Sequence, residues 1–259
     1  MEAVAIMITI VSRKIKGIPV LELVQNEKSD SALPLVFFYH GWTGCKERVL
    51  TQGYELARRG FRVVLPDALY HGQRQVNGPA ESHQLEFWEI IANSVREFPK
   101  LVSEYQQQFG IKEGQIGVSG LSMGGITTCA LLCVYPQISA AVCLMGSPRP
   151  VDFARDLLRR IPGAQDADPD YVEQQLEQLK IIDLSANPQK IAGRPVHFWH
   201  GTADEMVPYL PTKEFYDRIS DHSYAQKVTF TTTRGAKHKV SYPTTVEMAD
   251  KFAEYFAAL

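Results

Sequence analysis

The feature that most constrains the fold of this chain is its alternation of short apolar runs with longer amphipathic segments. The run at 35–39 is apolar throughout, which is typical of a strand buried on both faces of a sheet. Predicted helices and strands then alternate almost to the C-terminus. This order predicts an α/β fold with a mainly parallel central sheet of about eight strands and helices on both faces. The predicted strands are 6–11, 18–24, 35–39, 61–65, 115–119, 140–145, 195–200 and 227–233.

One segment interrupts the alternation and predicts an insertion. Residues 148–190 are too many for a simple connection, and they contain two amphipathic helix candidates. We therefore predict a single domain over 1–259 with a small helical cap at about 148–190. Pro99 is expected to kink or divide the long helix of the main domain. The predicted helices outside the insertion are 46–59, 83–109, 123–134, 211–220 and 244–258.

Composition disfavours several classes of function. The formal net charge is -2 and both signs are mixed along the chain, so neither nucleic acid nor a membrane is an expected partner. Cys129 and Cys133 are expected to pack on one face of a buried helix, and the four cysteines lack the spacing of a zinc or redox motif. A reduced, cytoplasmic protein is expected. The apolar run at 3–11 is too short to span a bilayer, so it is predicted as the first strand.

A G-x-S-x-G pentapeptide, Gly120-Leu121-Ser122-Met123-Gly124, lies between a predicted strand and a predicted helix. That context is the one a nucleophile elbow requires, whereas the alternative is a tight turn without chemistry. A serine hydroxyl is a weak nucleophile at neutral pH, and it needs a base that is itself oriented by an acid. Ser122 is the predicted nucleophile.

Chain order singles out the base and the acid. In folds with this elbow the acid follows the serine and the histidine follows the acid. Of the seven histidines, only His238 follows the last predicted strand. Asp204 comes directly after the strand at 195–200, and this places it at the carboxyl edge of the sheet, where ligands bind in open α/β folds. Glu205 is the alternative acid.

Two backbone N–H groups are predicted to stabilise a developing oxyanion. One belongs to Met123, the residue after the nucleophile. The other belongs to Trp42, in the loop after the strand at 35–39, where Gly41 lets the backbone approach a substrate. An ordinary strand-to-helix turn is the alternative for this loop.

The predicted substrate-binding residues surround these donors. His40 and Gly41 lie in the first loop, and His71 lies in the segment 67–74, which either shapes the pocket rim or has a purely structural role. The cap is expected to supply an apolar wall. The cap residues predicted for it are Leu157, Leu158 and Ile161.

With these motifs in place, the chain resembles small bacterial carboxylesterases in the dienelactone hydrolase and prolyl-oligopeptidase-like branch of the α/β hydrolases. The resemblance covers nearly the whole chain. It implies hydrolysis of short-chain acyl esters with no metal or organic cofactor, a small-molecule ester as partner, and a triad formed by Ser122, Asp204 and His238. It also suggests a start at the equivalent of Met7, with residues 1–6 as an extension. The carrying segments are 37–42, 66–68, 71–72, 120–125, 200–204, 207–208 and His238.

Differences from the members of this fold disfavour several of their known activities. Dienelactone hydrolases use cysteine at the elbow, and dehalogenases and epoxide hydrolases use aspartate, so Ser122 disfavours all three activities. A prolyl peptidase would carry a propeller domain, which is not expected in 259 residues. A thioesterase or small peptidase with the same triad, or a non-catalytic binding protein on the same scaffold, is the alternative. A monomer or a homodimer is expected.

Overall fold

The computed structural model describes residues 6–160 and 168–258, and its centre is an eight-stranded sheet with the order β1-β2-β4-β3-β5-β6-β7-β8. Strand β2 is antiparallel to both of its neighbours, and the other five strand pairs are parallel. This confirms the predicted mainly parallel sheet. The strands are β1 Ile8–Ile15, β2 Ile18–Gln25, β3 Leu33–Tyr39, β4 Arg62–Pro66, β5 Ile111–Leu121, β6 Ala140–Leu144, β7 Val196–Gly201 and β8 Val228–Thr233.

Helices cover both faces of this sheet, as predicted, and each face has its own apolar core. Because successive side chains of a strand point to opposite faces, Phe37 packs on one side with Val118 and Phe38 packs on the other with Met248. Helices α1 and α7 contribute to the second core, and the remaining helices to the first. The helices are α1 Leu50–Arg58, α2 Phe87–Gln108, α3 Met123–Val134, α4 Pro150–Arg160, α5 Pro169–Leu179, α6 Tyr209–Ile219 and α7 Tyr242–Ala257.

Helix α2 continues through Pro99 and is not divided there. Proline has no N–H to donate to the carbonyl of Val95, four residues earlier. The hydroxyl of Tyr135 donates to that carbonyl instead, at 2.9 Å. A side chain from the end of α3 thus satisfies the acceptor that proline leaves free. The predicted division of the helix is wrong, and the alternative, a kink at Pro99, stays a prediction.

The segment predicted as a cap contains α4 and α5, which lie between β6 and β7. Residues 161–167 fall outside the described part of the chain, so the role of the two helices as a cap stays a prediction. All four cysteines are free, and Cys129 and Cys133 are buried on α3. In residues 6–160 and 168–258, no helix combines the length and apolar character needed to cross a bilayer.

Candidate active site

Ser122 lies at the sharp turn between β5 and α3. Its backbone angles, φ 56° and ψ -117°, are outside the regions that side-chain-bearing residues favour. A Cβ on Gly120 would lie 2.4 Å from the Gly124 carbonyl oxygen, and a Cβ on Gly124 would lie 2.0 Å from that of Tyr39. Contacts this short essentially never occur, so the strained turn requires glycine at both flanking positions of the motif.

Three predicted side chains meet at the carboxyl edge of the sheet. The Nε2 atom of His238 lies 2.8 Å from the Oγ atom of Ser122, and its Nδ1 atom lies 2.7 Å from Oδ2 of Asp204. These partners are 116 and 34 positions away from His238 along the chain. One ring nitrogen can therefore accept the serine proton while the other donates to the carboxylate.

Asp204 accepts three hydrogen bonds and lies close to a fourth N–H group. Its Oδ1 atom accepts from the backbone N–H groups of Met206 and Val207, each at 3.0 Å. Its Oδ2 atom accepts from His238 and lies 3.2 Å from Nε2 of His200. Burial alone would raise the pKa of this carboxyl, but the bonds from the two histidines and from the backbone outweigh burial and hold its pKa well below the usual range. Asp204 is therefore a carboxylate at neutral pH.

The two predicted oxyanion donors lie beside Ser122. Met123 is the first residue of α3, where backbone N–H groups have no intrahelical partner. Trp42 follows Gly41, which packs so closely on the nucleophile that a Cβ on Gly41 would lie 3.4 Å from Cβ of Ser122. Across the described ranges, neither the Trp42 nor the Met123 N–H donates a hydrogen bond. Their role as oxyanion donors stays a prediction.

His40 supports the Trp42 loop from inside the protein. The side chain is buried, its Nδ1 atom lies 2.8 Å from the Gly41 carbonyl oxygen, and its Nε2 atom accepts from the N–H of Ala68 at 3.1 Å. One nitrogen must donate and the other must accept, so the ring is neutral. Burial lowers the pKa of His40 to about 4. Both ring nitrogens of His40 therefore have partners within the protein, and the predicted substrate-binding role of His40 stays a prediction.

His71 holds the same loop from the neighbouring segment. Its Nδ1 atom lies 2.8 Å from the Leu69 carbonyl oxygen, and its Nε2 atom accepts from the backbone N–H of Thr43 at 3.3 Å. Burial lowers the pKa of this imidazole, which favours the neutral form that these bonds require. His71 therefore connects the Thr43 and Leu69 backbones, and its predicted substrate-binding role stays a prediction.

A buried ion pair, which was not predicted from the sequence, holds the segment 67–74 in place. The ammonium of Lys46 lies 2.7 Å from Oδ2 of Asp67, and both side chains are fully buried. Asp67 also accepts from the backbone N–H groups of Lys46 and Gln73. A Cβ on Gly72 would lie 2.2 Å from Oδ1 of Asp67, so the segment closes tightly around the carboxylate. Of the two roles left open for 67–74, these contacts favour the structural one.

Of the three cap residues predicted to line the pocket, two lie in the described part of the chain. Leu157 is half-buried and packs against the core that contains α2 and α3, and Leu158 is half-buried. Ile161 lies outside the described residues. The predicted contact of all three residues with a substrate stays a prediction.

An aromatic cluster that was not predicted connects α4 to the Trp42 loop. The ring centroid of Phe87 lies 5.5 Å from that of Trp42 and 6.5 Å from that of Phe153. Trp88 lies 6.2 Å from Phe153. An apolar wall of half-buried and buried rings thus begins one residue from Gly41. In the described ranges, no group of three histidine, cysteine or acidic side chains is arranged to hold a metal ion.

The sheet, its helices and the site at Ser122 define an α/β hydrolase, and comparison with known proteins gives the same class. A model of the alpha/beta hydrolase fold family matches residues 34–188. The chain belongs to this family, and it is a hydrolase.

Two relatives extend the similarity over nearly the whole chain. The chain is 39% identical over 254 residues to "Putative esterase YitV" of Bacillus subtilis (strain 168), a match covering 96% of this chain and 100% of that protein. It is 28% identical over 235 residues to "Esterase YjfP" of Escherichia coli (strain K12), covering 91% of this chain and 94% of the relative.

Two solved structures share the fold. TT1662 from Thermus thermophilus has a TM-score of 0.79 at 20% identity, over 98% of this chain and 100% of that one. Est1E from Butyrivibrio proteoclasticus, solved with ferulic acid bound, has a TM-score of 0.67 at 17% identity, over 96% of this chain and 100% of that one. At these identities the likeness concerns the fold alone.

Proposed function

We propose that this protein is a serine carboxylesterase that hydrolyses short-chain acyl esters. The observation that carries the proposal is the position of His238, whose two ring nitrogens lie 2.8 Å from the Ser122 hydroxyl and 2.7 Å from the Asp204 carboxylate. The names of the two relatives, which span nearly the whole chain, support an ester as the bond that is cleaved.

In the first step, Oγ of Ser122 attacks the ester carbonyl carbon while Nε2 of His238 takes the hydroxyl proton. The carbonyl oxygen becomes an oxyanion, which accepts hydrogen bonds from the N–H groups of Trp42 and Met123. Asp204 stabilises the imidazolium through its hydrogen bond to Nδ1. The imidazolium then gives its proton to the alkoxide, so that alcohol leaves and an acyl-serine ester remains.

In the second step, water replaces the alcohol. His238 takes a proton from the water as its oxygen attacks the acyl carbon, and the same two backbone donors hold the second oxyanion. When this intermediate collapses, the proton returns to Oγ of Ser122 and the acid departs. Each step uses only groups of the chain, the ester and water.

The short acyl chain is proposed from the surroundings of the Trp42 loop. The ring of Phe87 packs at steep angles against the rings of both Trp42 and Phe153, and Trp42 directly follows Gly41, which packs on Ser122. Such a wall suits a small apolar group, and on this ground we propose a short acyl chain. We place the acyl group against this wall and assign α4 and α5 to the cap.

The nucleophile is tested with Ser122→Ala. This variant should lose about 10⁴-fold or more of its kcat/KM for p-nitrophenyl acetate and butyrate, because the acyl acceptor is gone. Its circular dichroism and Tm should match the parent, since the Cβ that the turn accommodates is retained. Ser12→Ala, on exposed β1, is the matched control and should keep full activity. Near-normal hydrolysis by Ser122→Ala would disprove the triad.

The substrate class is tested with three sets of compounds. Straight-chain acyl esters of increasing length, acyl-CoA thioesters and aminoacyl amides should rank with short esters first in kcat/KM. Preference for a thioester or an amide would retain the triad but overturn the carboxylesterase assignment. A fluorophosphonate should label the parent at one site per chain and leave Ser122→Ala unlabelled; a parent that does not react would indicate a binding protein.

A further inference from the structure

A second histidine contacts the acid of the site, and the proposed mechanism gives it no task. His200 is the penultimate residue of β7, and it is fully buried. Its Nε2 atom lies 3.2 Å from Oδ2 of Asp204 and 2.9 Å from the carbonyl oxygen of Val207. The same carboxylate oxygen accepts from Nδ1 of His238 at 2.7 Å. Two histidines therefore share one oxygen.

The partners of His200 determine which nitrogen carries its proton. A carboxylate and a backbone carbonyl are both acceptors, so the proton belongs on Nε2. The other nitrogen, Nδ1, is buried without a hydrogen-bond partner among the described residues. A buried polar atom with no partner is unfavourable, and packing alone would favour an apolar side chain at this position. The feature that an apolar side chain cannot supply is an Nε2–H group that donates to the Val207 carbonyl oxygen at 2.9 Å and lies 3.2 Å from Oδ2 of Asp204.

We propose that His200 is a positioning residue for the catalytic acid. Its N–H fixes the rotation of the Asp204 carboxylate and takes part of the negative charge of Oδ2, so that less of this charge is available to His238. The inference rests on the proposed function, since it concerns the same triad.

The other groups around His200 do not supply this effect. On α6, the ring of Tyr209 lies 6.0 Å from that of His200, with its hydroxyl hydrogen-bonded to Thr232 at 3.1 Å. Thr232 is also the register partner of His200 on β8. Asp204 is thus in direct contact with His200, His238 lies across the same carboxylate, and the phenol of Tyr209 is engaged by Thr232.

Loss of this N–H should change the pH dependence of catalysis. With a more negative oxygen opposite, the His238 imidazolium is stabilised and persists to higher pH, where it cannot act as a base. The acid limb of the kcat/KM profile should move upward by about 0.5 to 1 pH unit. A purely structural role for His200 would lower kcat/KM at every pH and leave the midpoint of this limb unchanged.

The test compares variants that differ in whether a donor reaches Asp204. Gln places an amide N–H near the position of Nε2, whereas Asn is one methylene shorter and Leu has no donor. The midpoint should therefore move upward in His200→Asn and His200→Leu and stay in place in His200→Gln. Titration with a fluorophosphonate counts competent sites, so that loss of folded protein does not enter the rates.

An unmoved midpoint in folded His200→Asn or His200→Leu would overturn the role of His200. If the leucine variant does not fold, the smaller asparagine variant gives the answer by itself. The positioning role of His200 and the proposed triad can be disproved independently of each other. Activity that depends on Ser122 with an unmoved limb contradicts only the positioning role, whereas activity that survives Ser122→Ala contradicts the triad itself.

Discussion

At the scale of single residues, histidines of one chain take different chemical roles because their ring nitrogens have different partners. His238 is partly exposed and lies between a hydroxyl and a carboxylate, so it can accept and donate a proton in turn. His40 is buried between a backbone carbonyl and a backbone N–H, and protonation would remove its only acceptor atom. The first arrangement suits catalysis, and the second suits a rigid loop.

This difference predicts how stability depends on pH. The pKa of folded His40 is lowered to about 4, whereas histidine in an unfolded chain titrates near 6.5. Between these values the unfolded state binds more protons, so the free energy of unfolding should fall as the pH decreases from about 6.5 to about 4. The full effect is on the order of 3 kcal/mol. Urea denaturation at a series of pH values measures it.

The variant His40→Gln tests whether His40 causes the fall in stability between about pH 6.5 and pH 4. His40→Gln cannot titrate, so the decline in stability over this window should be smaller than in the parent, with His71 accounting for part of what remains. His222→Gln, on an exposed loop, should leave the decline as steep as in the parent. An equally steep decline in His40→Gln would show that His40 is not its source.

Chain order and motif predicted three residues that the fold brings together, because each follows a strand and parallel strands end at one edge. The roles of His40, His71 and His200 could not be predicted in the same way. Each depends on which backbone group meets each nitrogen, and no local pattern encodes that. A histidine four positions before the predicted acid was the available signal for His200.

At the scale of elements, apolar runs predicted the strands because most are buried on both faces, while their ends were less well defined. Strand β5 begins at Ile111, four residues before its predicted start, because the exposed residues Lys112, Glu113 and Gly114 carry no apolar signal. Continuity of α2 through Pro99 depends on Tyr135, a partner 40 positions from the carbonyl it satisfies. Such long-range partners are the information that periodicity lacks.

The junction between β5 and α3 should tolerate no side chain at Gly124. A Cβ there would lie 2.0 Å from the Tyr39 carbonyl oxygen and 2.8 Å from that of His40, and backbone cannot move aside as a side chain can. Gly124→Ala should destabilise the protein by roughly 3 kcal/mol or more and abolish hydrolysis. Thermal unfolding and ester turnover measure the two effects.

Gly53→Ala is the matched substitution in α1. A Cβ at Gly53 would lie 3.0 Å from Cδ1 of Leu65 and 3.2 Å from Cδ1 of Leu23, which are the ends of side chains and not backbone. Alanine also favours the helix by about 1 kcal/mol, so stability should stay within about 1 kcal/mol of the parent. If Gly124→Ala were as stable and active as Gly53→Ala, the steric account of the elbow would be wrong.

At the scale of the whole molecule, the antiparallel hairpin β1–β2 must be joined to the parallel sheet that bears the site. A buried ionic cluster lies at this junction. Glu22 of β2 pairs with Arg62 of β4 and, at 2.5 Å, with Arg13 of β1. The guanidinium of Arg62 also stacks on Phe109, 3.7 Å from the ring centroid. Glu22 and Arg62 are 1% and 2% exposed, so water cannot replace either partner.

Removing only one of the two buried charges, Glu22 or Arg62, should therefore lower the free energy of unfolding more than removing both. Glu22→Leu leaves the Arg62 charge buried without a carboxylate, which should lower the free energy of unfolding by about 3–5 kcal/mol. Arg13 matters less, because its side chain is 31% exposed and can be hydrated.

The double variant Glu22→Leu/Arg62→Met removes both buried charges and retains apolar volume, so it should be more stable than Glu22→Leu alone. Urea denaturation of the two single variants and the double variant gives the coupling free energy directly. Esterase activity of whatever fraction is folded should equal that of the parent, since the cluster touches none of the site residues. If the double variant lost as much stability as the two single variants combined, the side chains would contribute independently, and charge compensation would not be what joins the hairpin to the sheet.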